Sequence, residues 1–69
     1  MFIEFTTRRG EKVCLNVNHI LYITDNNTYT TIVDICGVDY KINSSYQEVL
    51  KRIYNRLNSA QAVNFVDID

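Results

Sequence analysis

Residues 44–57 read SSYQEVLKRIYNRL, the one segment of the chain with a clean helical period. Its apolar residues Tyr46, Val49, Leu50, Ile53, Tyr54 and Leu57 recur at i, i+3, i+4, i+7, i+8 and i+11, one stripe of a 3.6-residue helix. Gln47, Glu48, Lys51, Arg52, Asn55 and Arg56 fill the opposite face. Ser45 stands three residues before Glu48 and Ser44 three before Gln47, so either serine suits a capping box. Lys51, Arg52 and Arg56 fall toward the negative end of the helix dipole. The spacing predicts a helix over about 45–57. A helix this short is marginal alone in water, so its stripe has to lie on another apolar surface. Everything before it reads as strand, which makes that surface a sheet.

From the N-terminus, Met1, Ile3 and Phe5 alternate with Phe2, Glu4 and Thr6, a half-buried strand that ends at the turn Arg8-Arg9-Gly10-Glu11. From Lys12 to Asn18 the alternation sharpens, with Val13, Leu15 and Val17 on one face, and these two strands are expected to pair as a hairpin. Residues 20–24 are apolar on both faces, which predicts a central strand. Asp25-Asn26-Asn27-Thr28 breaks the chain, and the β-branched run from Tyr29 to Cys36 follows. Gly37 turns the chain again, and Val38, Tyr40 and Ile42 form the last strand before the helix. The tail from Ala60 to Asp69 ends in VNFVDID. It fits a sixth strand, a strand added to a partner's sheet, or a frayed end, and the sixth strand is the favoured reading.

Sixty-nine residues bound the chain to one domain, and a domain of this size buries only about 60% of the surface its unfolded chain exposes. So thin a core makes self-association an expectation. With 46% hydrophobic and 22% charged residues, five Tyr and three Phe, the composition is globular. A formal net charge of −1 supplies no global field to attract a polyanion, which disfavours DNA and an acidic membrane as partners. Cys14 and Cys36 stand in no metal-like spacing, and a secreted chain this short tends to carry several bridges, so a reducing cytoplasm is expected. Glu4 inside the first apolar run and the bases after it reverse the order of a signal peptide, and no stretch approaches a membrane span.

Catalysis needs a constellation, and the sequence offers none. His19 is the single histidine. With Cys14 it suggests a nucleophile and a base, yet no sharp turn or third orienting group accompanies them. Cys14, Cys36 and His19 lack the paired spacing and fourth ligand of a structural zinc site. Glu4, Asp25, Asp34 and Asp39 stand apart as single acids. No enzyme activity, cofactor or metal is expected. Arg8, Arg9 and Lys12 form a basic hairpin tip, and Lys51, Arg52 and Arg56 a basic stripe on the helix, together six of the seven basic residues. Gathered on one side, they would meet phosphates. Tyr22, Tyr29 and Tyr40 suit base stacking on an exposed sheet face, though burial under the helix explains them more simply.

The run HILYITDNNTYTTI, followed by Gly37, Tyr40-Lys41-Ile42, Ser45 and the leucine-bearing helix, resembles the first half of the LytTR DNA-binding domain of bacterial response regulators. That family's Ile-x-Tyr-Ile strand matches Ile20-Leu21-Tyr22-Ile23, and its Asn-Tyr-Thr turn matches Asn27-Thr28-Tyr29-Thr30 with one extra residue. The family continues with a Phe-x-Arg-x-His-Arg-Ser stretch that supplies much of its DNA contact, whereas here nothing basic follows Arg56. The chain is also similar in length and pattern to small flagellar FlbD-like proteins, through Gly10, Leu15-Asn16, Ile20, Ile23, Gly37, Tyr40, Ser45, Glu48-Val49 and Ile53. Both resemblances imply a bacterial β-meander with a helix, and they imply no catalytic residues.

The expected fold is therefore α+β, a twisted antiparallel β-meander of five strands, with residues 60–69 as candidate sixth, packed with one C-terminal amphipathic helix. The expected core holds Ile3, Phe5, Val13, Leu15, Val17, Leu21, Ile23, Ile32, Val49, Leu50, Ile53 and Leu57. The expected function is that of a small non-enzymatic interaction or regulatory module working on itself or on another protein. Val63, Phe65, Val66 and Ile68 are its candidate self-association residues. The alternative is a reduced LytTR-like DNA binder that touches phosphates through Arg8, Arg9, Lys12, Lys51, Arg52 and Arg56.

Overall fold

A computed structural model describes residues 1–68 of the chain, with the side chains of residues 1–59. Five strands precede one helix: β1 (Phe2–Thr6), β2 (Lys12–Asn16), β3 (Ile20–Asp25), β4 (Thr30–Asp34), β5 (Asp39–Ile42) and α1 (Tyr46–Ile68). All strand pairs are antiparallel, but the strands form two sheets, β1-β2 and β3-β4-β5, where a continuous meander would pair β2 with β3. A single 3₁₀ turn, Val17–His19, breaks the run after β2. The Asn16 side chain accepts the Asn18 N–H at 3.0 Å and so favours this turn over further strand. The two sheets meet again at one corner, where Thr7 bridges Ile42, the Arg8 N–H donates to the Lys41 carbonyl and the Asn43 N–H to the Thr6 carbonyl.

Two of the hairpins are built on one turn. In Thr7–Glu11 the Gly10 N–H donates to the Thr7 carbonyl, and in Asp34–Val38 the Gly37 N–H donates to the Asp34 carbonyl, each at 2.9 Å. Gly10 and Gly37 take φ of 85° and 82°, left-handed values that complete a three-residue hairpin loop. The remaining hairpin places Asn27 at φ 74°, with its N–H on the Asp25 carboxylate at 2.8 Å.

The helix begins where its sequence marks it. The Ser45 hydroxyl accepts the Glu48 N–H at 3.2 Å and the Ser45 carbonyl accepts the Val49 N–H at 3.0 Å, an N-cap. Instead of ending at Leu57, however, α1 continues to Ile68, through the residues expected as a sixth strand. No proline or glycine interrupts residues 58–68, and the backbone keeps its helical bonds where the sequence offers no breaker. Asp69 lies outside the described residues.

The core joins both sheets to the helix: Ile3, Phe5, Leu15, Val17, Ile32, Ile42 and Val49 are buried together, and Val13, Ile20, Ile23, Ile53 and Leu57 pack against them. Leu21, expected inside, is 61% exposed. The cause is an irregularity in register between Ile20 and Tyr22, which leaves Leu21 as an extra residue and turns Ile20 and Ile23 to the same side. The strand carrying Leu21 lies at the end of its sheet, not at its centre. Ile42 and Thr30 are buried although neither stood in the expected core. Thr30 donates its hydroxyl to the Ser44 carbonyl at 2.8 Å, which ties β4 to the start of α1.

Candidate interaction site

The outward side of α1 carries the most apolar recess described. Gln47, Leu50, Lys51, Ile53, Tyr54 and Leu57 line a shallow groove of about 460 Å³, all six from the helix itself. Val49 faces the core and is buried, whereas Tyr54 is 65% exposed. The apolar arc of α1 is thus wider than the sheets cover, with Tyr54 exposed at its border beside half-buried Leu50 and Leu57. The candidate self-association residues Val63, Phe65, Val66 and Ile68 lie on the continuation of the same helix, and their side chains lie outside the described residues.

The six basic candidates have different surroundings. Arg8 stacks over the Tyr29 ring at 4.1 Å. Arg52 donates to the Glu4 carbonyl at 2.6 Å and lies over the Phe5 ring at 4.6 Å, while Arg56 donates to the Phe2 carbonyl at 3.0 Å. Three of the six are therefore tied to the fold. Arg9, Lys12 and Lys51 are exposed. Arg8 and Arg9 line an open groove of about 660 Å³ with Lys41, a base outside the expected patch, but Glu11 and Asp39 share that groove and offset its charge.

A smaller recess of about 250 Å³ between the hairpin and the second sheet collects Cys14, His19, Asp34 and Tyr40. The Asp34 carboxylate is already spent on the turn and on a neighbour. One oxygen accepts the N–H groups of Cys36 and Val38 at 2.9 and 3.0 Å, the other the Tyr40 hydroxyl at 3.1 Å. Burial works to raise this carboxyl. The N–H of Val38, the Tyr40 hydroxyl, the N–H of Cys36 and the charge of His19 outweigh it and hold the carboxyl below the ordinary aspartate value. The Tyr40 phenol is pushed up, first by its bond to Asp34 and then by burial. Sequence reasoning read Asp34 as a lone acid and Tyr40 as a residue of the last strand without seeing that they meet; the six-residue separation across a hairpin was the only signal.

Among the described residues, no three of His, Cys, Asp and Glu converge to hold a metal ion, and no buried side-chain nitrogen or oxygen lacks a hydrogen-bond partner. Among them, no helix is long and apolar enough to cross a membrane. Comparison of the chain with protein-family models, curated proteins and solved structures gives no match.

Proposed function

We propose that this chain is a protein-interaction module that associates with a second copy of itself through the outward stripe of α1. The carrying observation is the apolar groove of Leu50, Ile53, Tyr54 and Leu57 on one helix face, in which Tyr54 is exposed and the other three are half-buried. Burial of this groove against a second copy would enlarge a core that is thin in a domain of this size. A helix of 23 residues is about 34 Å long, more than its buried residues between Val49 and Leu57 need. The alternative, phosphate contact, draws on weaker support, since Arg8, Arg52 and Arg56 are engaged within the fold.

Association through this stripe makes thermal stability depend on protein concentration. The melting temperature of the full chain is expected to rise with concentration, and that of Tyr54→Glu to stay constant. A concentration-independent melting temperature for the full chain counts against the proposal.

A further inference from the structure

Two arginines on successive turns of α1 end on carbonyls along the outer edge of β1. Phe2, Glu4 and Thr6 alternate with Ile3 and Phe5, and their carbonyls point away from β2. The Thr6 carbonyl accepts the Asn43 N–H at 2.9 Å, the Glu4 carbonyl accepts Nη2 of Arg52 at 2.6 Å, and the Phe2 carbonyl accepts Nε of Arg56 at 3.0 Å. Four residues of helix rise about 6 Å and two residues of strand about 6.7 Å. Arginines four apart on α1 therefore match carbonyls two apart on β1. The Phe5 ring under the Arg52 guanidinium holds the first of them in place.

We infer that Arg52 and Arg56 guard the β1 edge against strand addition, and that the occupant they keep out is β1 of a second copy. Between Phe2 and Glu4 the edge has little protection of its own, for FIEFT contains neither lysine nor proline, its one charge is Glu4, and the Asn43 contact closes only the Thr6 end. It is also self-complementary. With two copies antiparallel about Ile3, the outward N–H and C=O groups of Phe2 face those of Glu4 in the other copy, and Glu4 never meets Glu4. The surface is distinct from the outward stripe of α1 and stands whether or not that stripe associates.

The test is light scattering after size exclusion on the full chain, with Tyr54→Glu as the background so that contact through α1 is removed. Adding Arg52→Ala and Arg56→Ala is expected to double the mass, and a further Glu4→Pro, which deletes an outward N–H without touching the β1-β2 ladder, to restore it. An unchanged mass on removing the arginines overturns the inference, as does a doubled mass that survives Glu4→Pro. If the double alanine variant loses its circular dichroism, Arg52→Met with Arg56→Met, which keeps long stems on the fold without the guanidinium donors, carries the same two comparisons, with the same results supporting or overturning it.

Discussion

Asp34 shows how much one carboxylate does in a small fold: it closes the Asp34–Val38 turn and orients the Tyr40 phenol. Because its folded value is depressed, its contribution is present above the unfolded aspartate value of about 3.9 and is lost as pH falls through the lower folded value. Tyr40 works in the other direction. Its folded value is raised, so its contribution is complete below the free phenol value of about 10 and disappears as pH climbs through the raised one. Tyr40→Phe is therefore expected to lower the melting temperature at neutral pH and to flatten both the acid and the alkaline limbs of its pH profile. Gly10 and Gly37 make a cleaner pair, since a Cβ at either meets nothing within 4 Å. Gly37→Ala is expected to cost about 1–2 kcal/mol in urea unfolding, the strain of a left-handed alanine and nothing else. Both glycines were legible as turns because glycine at a break between alternating runs has few other uses. The Asp34–Tyr40 bond was not, because it depends on which way a hairpin twists.

Among the elements, β3 and α1 depart furthest from expectation. The alternation of residues 20–24 was read as regular, and one extra residue at Leu21 moved that side chain out to solvent while Ile20 and Ile23 turned inward together. A bulge leaves no mark in hydrophobic spacing, so strand position was readable and its faces were not. Leu21→Ala is accordingly expected to change stability by under about 0.5 kcal/mol. Ile42→Ala, at a fully buried position in β5, is expected to cost about 2–5 kcal/mol in the same unfolding experiment. For α1 the start was written in Ser45, which caps it, but the end was masked by the β-branched and aromatic residues of VNFVDI. Those residues favour strands, and the helix runs through them because local propensity is a weak prior beside an unbroken helical ladder. The helical period that marked α1 put Leu50, Tyr54 and Leu57 on the stripe expected to face the sheet, and Tyr54 lies 65% exposed instead.

Across the whole molecule, two small sheets touch at the Thr7–Ile42 corner and one long helix closes the space between them. The α+β class and the five strands followed from hydrophobic period and glycine placement. The split into two sheets did not, because it rests on a three-residue 3₁₀ turn that one asparagine side chain stabilises. Charge behaves similarly. The sequence offered two basic groups, a hairpin tip and a helix stripe, and the fold turns Arg8, Arg52 and Arg56 of these onto an aromatic ring and two carbonyls. On α1 the fold leaves an apolar groove with Tyr54 exposed in it. The mass of the full chain in solution, measured by light scattering beside that of Tyr54→Glu, tests this most directly. A dimer that becomes a monomer on this one substitution is the predicted result. A full chain that stays monomeric at high concentration, or a Tyr54→Glu dimer as stable as the original, contradicts association through α1.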